Sequence, residues 1–200
     1  MTNSSYKRQI VCYNTPNMRE RRAFMFLKRL FSKGSGCGKH FPIEREKCCA
    51  FTGHRPEKLY GKEAYVIAEL RKEIVNAVAD GYTTFVTGCS RGVDLWAADI
   101  VVELQRSNKD IRLVCAIPFP DFDERWPMDW KKHLQLVKKK ADHIQTVEQS
   151  YSPGAYQKRN EFMCQNASRI IAVCDGKPSG TKNTIDYAHS QSIPVRLIRL

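Results

Sequence analysis

The chain has 200 residues, of which 42% are hydrophobic and 27% charged. This composition is typical of a globular protein, and the length suffices for one domain with a hydrophobic core. No stretch approaches about 18 consecutive apolar residues, and the beginning of the chain lacks the apolar core of a signal peptide, so we expect no transmembrane segment and a cytoplasmic location. The formal net charge is +12, but residues 1–47 carry eleven Lys and Arg against three Glu, so the excess positive charge belongs mainly to the beginning of the chain.

The N-terminal residues 1–46 differ in character from the rest. We expect them to form a basic, flexible extension, with a linker over 32–39. Apolar residues at helical spacing between 19 and 34 leave an alternative open, a basic amphipathic helix that binds an anionic membrane or nucleic acid. The remaining residues, 47–200, are predicted to form a single domain.

A regular alternation of strands and helices begins at Cys48. Apolar runs predict strands over 48–53, 83–89, 111–119, 143–149, 169–176 and 193–200. Helical patterns lie between them over 63–81, 93–107, 129–141, 156–168 and 181–191. Short apolar strands separated by helices predict an α/β, three-layer Rossmann-like fold with a mostly parallel central sheet and helices on both faces. In such folds ligands bind beyond the carboxyl ends of the strands, which directs attention to the loops there.

The eight cysteines do not suggest a disulfide framework or a metal centre. Five of them fall in or at the ends of predicted strands, where a cysteine behaves as a small hydrophobic residue. Cys37 and His40 provide only half of a zinc site. We therefore expect reduced cysteines and no metal site.

The first strand runs into a turn formed by Thr52, Gly53, His54 and Arg55. Gly53 allows a ligand to approach the backbone closely, and the planar guanidinium of Arg55 suits a phosphate. The alternative is an ordinary turn whose His and Arg side chains are merely solvated. The loops described next favour the ligand-binding interpretation.

The second strand is followed by the predicted ligand contacts Gly88, Ser90, Gly92, Val93 and Asp94. Backbone N–H groups at such a helix start bind anions. Asp94 is expected either to hold a ribose hydroxyl or to cap the helix. The loop matches neither the G-x-G-x-x-G dinucleotide motif nor a Walker loop.

Two further segments offer candidates. After the third strand, Pro118 and Arg125 lie in a loop rich in proline and aromatic residues, where Arg125 and Trp126 either close over a base or ribose or belong to a rigid structural loop. Tyr156, Arg159 and Asn160 stand at the start of the helix before the fifth strand, from which Arg159 is expected to point to the same edge of the sheet or to remain a surface cation.

The loop after the fifth strand is a second glycine-rich helix start. Its predicted ligand contacts are Asp175, Gly176, Ser179, Gly180, Thr181 and Thr184. Amides and hydroxyls in such a turn form an anion-binding nest. Two phosphate-suited helix starts at one sheet edge indicate an anionic, nucleotide-derived ligand, the alternative being a plain turn.

Five ordered motifs resemble the YpsA-type family of the SLOG superfamily. They read CCAFTGHRP, GCSRGVDLWAAD, AIPFPDFDERW, YQKRNEFMCQNAS and VCDGKPSGTKNTIDYA. The resemblance implies a Rossmann-like pocket for a nucleotide or a nucleotide-derived, ADP-ribose-like ligand. Superfamily relatives include the DNA-processing protein DprA and the LOG-type phosphoribohydrolases.

The LOG-type enzymes help to judge whether this chain is catalytic. Their helix arginine resembles Arg159, but their catalytic glutamate has no match, because Thr184 or Asp186 falls at its place depending on the alignment. The candidate catalytic residues are therefore Arg159, Asp94 and Asp186. The phosphate-binding half of the LOG motif is better preserved than the catalytic half.

Three functions follow from these observations. The favoured one is cytoplasmic binding or sensing of a nucleotide-derived ligand, with no cofactor required. The alternative is a phosphoribohydrolase that cleaves the N-glycosidic bond of a nucleoside monophosphate. A further alternative is DprA-like binding of single-stranded DNA, for which the basic N-terminal extension would supply charge. A homo-oligomer is left open.

Overall fold

The computed structural model describes residues 41–200, in which strands and helices alternate along the chain as the sequence predicts. The strands are β1 (Cys48–Gly53), β2 (Thr84–Thr87), β3 (Arg112–Ile117), β4 (His143–Thr146), β5 (Arg169–Cys174) and β6 (Val195–Arg199). The helices are α1 (Glu63–Ala79), α2 (Val93–Leu104), α3 (Met128–Lys140), α4 (Ala155–Gln165) and α5 (Gly180–Ser190). The element ends differ from the predicted ones by a few residues, as helix and strand ends commonly do.

The six strands form one sheet in the order β4-β3-β2-β1-β5-β6, and every pairing in it is parallel. The chain builds outward from β1 to β4, and then returns to place β5 on the other side of β1. The direction of winding therefore reverses between β1 and β5. At such a switch point the following loops diverge and leave a crevice at the carboxyl ends of the strands.

Helices cover both faces of the sheet and confirm the predicted three-layer fold. Cys49 and Phe51 of β1 belong to a buried cluster with residues of α1, α2 and α3. Their neighbours Cys48 and Ala50 belong to a second cluster with residues of α4 and α5. Because alternate residues of a strand face opposite sides, a sheet buried on both faces needs continuous apolar strands, which is the pattern seen in the sequence.

The predictions made for residues 1–40 lie outside the described residues. They comprise most of the basic extension, the amphipathic helix over 19–34, the linker over 32–39 and the Cys37–His40 pair. Residues 41–46 pack on the domain: the Phe41 ring stacks on His143 with centroids 5.2 Å apart, and the Glu46 carbonyl accepts a 3.0 Å hydrogen bond from the Ser168 hydroxyl. Within the described part, no helix has the length and apolar character needed to cross a bilayer.

The cysteines of the described residues are buried free thiols, namely Cys48, Cys49, Cys89, Cys115, Cys164 and Cys174. Burial raises the pKa of Cys48 to about 12 and that of Cys164 to about 11. The Cys48 and Cys164 thiols therefore stay protonated at neutral pH, and all six buried cysteines act as small core residues.

Candidate functional site

A cavity of about 450 Å³ opens at the switch point of the sheet. Its walls come from the end of β1, the turn before α2, one face of α4 and the start of α5. The predicted ligand contacts that line it are Thr52, Gly53, His54, Arg55, Ser90, Asp94, Arg159, Ser179, Gly180 and Thr181. The structure thus brings together residues from four separate segments of the sequence.

A buried guanidinium, that of Arg159, forms part of the cavity wall. Arg159 is only 5% exposed, and it donates hydrogen bonds to the Gly88 carbonyl, to Ser90 Oγ at 3.3 Å and to Asn160 Oδ1 at 2.9 Å. A Cβ on Gly88 would lie 2.8 Å from both Arg159 Cζ and Asp94 Oδ2. Gly88 therefore makes room for these two charged side chains and does not itself line the cavity.

Asp94 supplies the negative charge of this buried group. It is 5% exposed, and its Oδ2 accepts a 3.1 Å hydrogen bond from the Ser90 N–H. Burial raises the pKa of Asp94 to about 6, although the positive charge of Arg159 and the Ser90 hydrogen bonds oppose that rise. Burial also lowers the pKa of Arg159, whose guanidinium nevertheless stays charged. Asp94 thus occupies the anion position at the start of α2 and does not cap the helix, whose N-cap is Gly92.

Two other predicted glycine contacts serve the packing of the loops. A Cβ on Gly53 would lie 2.7 Å from Val93 Cγ2, so Gly53 lets β1 approach the start of α2. Gly92 has a φ of +86°, and a Cβ there would lie 2.8 Å from Pro56 Cδ. Gly53 lines the cavity, whereas Gly92 and Val93 do not line it and instead pack against the loop after β1.

His54 joins the loop after β1 to the loop after β5. The ring is 3% exposed, with Nε2 2.9 Å from Asp175 Oδ1 and 3.3 Å from the Asp175 backbone nitrogen. One nitrogen cannot donate to the carboxylate and accept from the N–H at once, and the shorter contact assigns the proton to Nε2. In the neutral form of this tautomer, Nδ1 faces the Thr181 hydroxyl at 3.4 Å as an acceptor.

Asp175 supports His54 from behind the cavity. The hydrogen bond from His54, together with a 3.0 Å bond from the Lys177 N–H, lowers the pKa of Asp175 to about 2. The carboxylate is therefore ionised over the physiological range. The predicted ligand contact Asp175 lies off the cavity and ties two loops together.

One group of side chains in the described residues has the composition of a metal site. The ligand atoms of His54, Cys174 and Asp175 lie within 4.8 Å of one another, and nitrogen, sulfur and oxygen would suit zinc. A hydrogen bond already joins His54 to Asp175, while the Gly176 N–H donates to Cys174 Sγ at 3.3 Å and Lys177 Nζ lies 3.8 Å from Asp175. These surrounding donors favour a hydrogen-bonded cluster over a cation site.

The start of α5 is open towards the cavity. Ser179 caps the helix by accepting the Lys182 N–H at 3.2 Å. The N–H groups of Gly180 and Thr181 donate to no acceptor within residues 41–200, and a Cβ on Gly180 would meet nothing within 4 Å. Arg55 is exposed on the same cavity and forms no ion pair with any carboxylate of the described region. The geometry therefore offers free N–H donors and a free cation on one cavity.

The sequence comparisons agree with the motifs and the fold. The model of the YpsA family, described as the YspA SLOG family, matches residues 49–198. The chain belongs to this family. UPF0398 proteins of Bacillus cereus (strain ATCC 14579) and Bacillus thuringiensis (strain Al Hakam) are similar to it at 29% and 30% identity over 152 residues, which cover 71% of this chain and 82% of each relative.

Two solved structures are similar in fold to this YpsA-family protein. DprA of Streptococcus pneumoniae matches at a TM-score of 0.54 and 17% identity, over 76% of this chain and 50% of that one. DprA of Helicobacter pylori matches at a TM-score of 0.53 and 17% identity, over 76% of this chain and 65% of that one. The chain thus spans about half the length of the S. pneumoniae protein. At this level of identity the likeness supports the Rossmann-like fold alone.

The loop after β3 lies off the cavity of the YpsA-family domain. Neither Pro118 nor Arg125 lines it. Trp126 makes a T-shaped contact with Phe122, with centroids 5.4 Å apart, and packs against the core. The packing of Trp126 agrees with the structural loop that the sequence left as an alternative.

Three candidates around the start of α5 also lie off the cavity. Gly176 has a φ of +83° and serves the turn. The Thr184 hydroxyl is buried and donates to the Gly180 carbonyl at 2.9 Å. Asp186 forms an ion pair with Lys182 on the exposed side of the helix. Neither position that could replace the LOG-type glutamate therefore presents a carboxylate to the cavity.

Several cavity residues were not among the predicted contacts. They are Phe51, Glu57, Lys58, Arg91, Tyr156, Asn160 and Met163. Phe51 and Met163 have the apolar character of core residues, and the loop residues Glu57, Lys58 and Arg91 follow no periodic pattern. Helical spacing from Arg159 could have identified Tyr156 and Met163, and Asn160 follows from these two at four and three residues, since positions three or four residues apart share a helix face.

Proposed function

We propose that this YpsA-family protein binds a small nucleotide-derived ligand, such as an ADP-ribose-like compound, and acts as a cytoplasmic sensor or carrier of it. The observation that carries the proposal is the open start of α5, where the free N–H groups of Gly180 and Thr181 share a cavity with Arg55. Helix N-termini with exposed N–H groups attract phosphate, and a guanidinium adds charge-assisted hydrogen bonds.

The charges around the cavity support an anionic ligand. Its lining contains four Arg or Lys side chains against two carboxylates. Glu57 pairs with Arg91 at 2.7 Å, and Asp94 is balanced by Arg159. Arg55 and Lys58 remain as a positive surplus. The cavity, of about 450 Å³, also falls within the range of roughly 300–1,000 Å³ common for small-molecule sites.

A phosphoribohydrolase activity is the second candidate. It is favoured by Asp94, a buried carboxyl on the cavity whose pKa of about 6 suits proton transfer near neutral pH. Arg159 would hold the phosphate or the developing charge. Binding without turnover is preferred because Asp94 already accepts a hydrogen bond from the Ser90 N–H and has the opposite charge of Arg159 nearby, while Thr184 and Asp186 lie off the cavity.

Single-stranded DNA binding is the third candidate. The solved H. pylori DprA structure concerns the single-stranded DNA binding mode of that protein. In this chain residues 48–200 carry 22 Lys and Arg against 18 Asp and Glu, a near balance that favours a small ligand over an extended phosphate track.

The test is calorimetric titration of the full-length protein with ADP-ribose, AMP and ribose 5-phosphate. Wild type should bind at least one of them, and Arg55→Ala should weaken that binding by about tenfold or more because a charge-assisted bond is lost. Gly180→Ala should weaken it too, since the added methyl stands beside the donating N–H groups. Arg106→Ala, which removes an exposed arginine away from the cavity, is the matched control and should bind like wild type.

Other outcomes separate the candidates. Release of adenine from AMP would establish the hydrolase, provided that Asp94→Asn abolishes it. Binding of an oligothymidylate that survives Arg55→Ala would favour the DNA-binding function. If none of the three small probes binds or raises the Tm, the ligand proposal is wrong.

A further inference from the structure

One face of α4 forms a wall of the cavity with a distinct chemistry. Tyr156, Arg159, Asn160 and Met163 line the cavity and follow the spacing of a single helix face. They present an aromatic ring, a guanidinium, an amide and a thioether. Tyr156 is 39% exposed, whereas Met163 is buried, so the ring marks the open part of this wall and the thioether its floor.

The Tyr156 ring is held in place by a neighbouring aromatic residue. It makes a T-shaped contact with Phe119, with centroids 5.6 Å apart and planes at 78°. Phe119 in turn packs against Phe122 and the buried core. A T-shaped contact uses at most one face of the Tyr156 ring. The ring is partly exposed and lines the cavity, where it can meet a flat group, and it is already oriented, which limits the entropy lost on binding.

The Asn160 amide is oriented by its neighbour. Its Oδ1 accepts the Nε–H of Arg159 at 2.9 Å. Because the Arg159 nitrogen can only donate, the facing amide atom must be oxygen, and this assigns the NH₂ group to the other side. Asn160 Nδ2 donates to no acceptor within residues 41–200. The cavity wall therefore carries a free pair of N–H donors next to an aromatic ring.

We infer that this face of α4 is a nucleobase subsite. Tyr156 stacks on the base, and Asn160 Nδ2 donates to a ring nitrogen or carbonyl at the edge of the base. The inference rests on the proposed function, because the start of α5 and Arg55 hold the phosphate end of the same molecule. It assigns to α4 the base contact that the sequence offered, as one of two alternatives, to Arg125 and Trp126 in the loop after β3.

The test compares AMP with ribose 5-phosphate, which lacks the base, by titration of the full-length protein. In wild type AMP should bind at least about tenfold more tightly, since base–aromatic stacking and one hydrogen bond are gained. Tyr156→Leu should weaken the binding of AMP by about tenfold and leave the affinity for ribose 5-phosphate unchanged. Tyr156→Phe should keep the AMP affinity. Tyr151→Leu is the matched control, because Tyr151 is 68% exposed, also contacts Phe119 and does not line the cavity.

A second variant tests the amide without relying on the ring. Asn160→Asp keeps an acceptor for Arg159 and removes the N–H donors, so the ratio of AMP to ribose 5-phosphate affinity should fall severalfold. Using the ratio cancels the effect of the added charge on the phosphate. Equal wild-type affinities for the two probes, or an equal loss of both in Tyr156→Leu, would overturn the base subsite alone. If wild type binds neither AMP nor ribose 5-phosphate, the base subsite is wrong, and the proposed function is wrong as well if ADP-ribose also fails to bind.

Discussion

Two glycine-rich turns enter helices at the same edge of the sheet, and they have opposite electrostatic states. The turn over 88–94 is closed: the Ser90 N–H donates to the buried Asp94 carboxylate, the Arg159 guanidinium donates to Ser90 Oγ and to the Gly88 carbonyl, and its charge opposes that of Asp94. The turn over 176–181 is open: its capping residue is Ser179, and the N–H groups at the start of the helix remain free.

The difference shows that a glycine-rich helix start does not by itself identify a ligand site. A carboxylate two residues into α2 satisfies the positive end of that helix from within the protein. The first turn of α5 contains no acidic residue, so its positive end is available to an outside anion. Experiments on the two turns should therefore give effects of different kinds, on folding for the first and on binding for the second.

The largest expected effect comes from breaking the closed turn at Arg159. Arg159→Met leaves Asp94 buried without its opposite charge and should lower the free energy of unfolding by about 3–5 kcal/mol. Urea denaturation followed by circular dichroism measures it. Arg159→Met combined with Asp94→Asn should recover part of the loss, because the uncompensated carboxylate is gone. If the free energy of unfolding of Arg159→Met alone lies within about 1 kcal/mol of wild type, the charge of Arg159 does not stabilise the buried Asp94.

The pH dependence of stability should also report the closed turn. The pKa of Asp94 is raised from 3.8 to about 6, so between these values the folded protein holds a proton that the unfolded chain has released. The free energy of unfolding should therefore decrease as the pH rises from about 4 to about 6, by up to about 3 kcal/mol from this group. Asp94→Asn should remove that decrease. Parallel wild-type and variant curves of stability against pH would contradict the buried, raised-pKa assignment.

A matched pair of glycine substitutions compares the two turns directly. Gly88→Ala drives a methyl group into Arg159 and Asp94 and should destabilise the protein by about 2 kcal/mol. Gly180→Ala meets open space and should change the stability by less than about 1 kcal/mol. Thermal denaturation of both variants checks the contrast. Equal losses of stability would mean that the open turn is as tightly packed as the closed one.

The smallest effect is expected at Asp175, which anchors the open turn to His54. Its pKa is lowered to about 2, so the carboxylate stabilises the fold above about pH 4 and this contribution is lost as the pH falls towards 2. Asp175→Asn should reduce stability at neutral pH and flatten the acid side of the stability curve. Asp186→Asn, which removes an exposed carboxylate of α5, is the control and should stay within about 0.5 kcal/mol of wild type.

The fold could be predicted from the sequence because it depends on local patterns. The run RIIAVC is apolar at nearly every position, and β5 is buried on both faces. The candidate site could be predicted only from the rule that ligands bind beyond the carboxyl ends of parallel strands. This rule points to the loops after β1 and β5, which line the cavity with His54 and Thr181. The family resemblance was confirmed, whereas the identity of the ligand stays a proposal.

The rest depends on contacts between distant segments. In the sequence, Gly88 resembles a ligand-binding glycine. In the structure, the side chain of Arg159, which is distant in sequence, fills the space next to it. Arg125 and Trp126 have the composition of a base-binding loop, but Trp126 packs on Phe122 and the core, and Arg125 does not line the cavity. Local sequence specifies the type of residue available at each strand end, and tertiary packing decides which of them face the cavity.

The buried cysteines have a practical consequence. A thiol reagent must reach the sulfur atom, so the six buried cysteines of the described residues should react only when the structure around them opens. Each lies in or beside a strand or in α4, and their labelling rates would therefore time the opening of different parts of the core. With Cys12 and Cys37 changed to Ser, only the six buried cysteines could be labelled. A ligand bound at the switch point should then lower the labelling rates of the cysteines nearest to it.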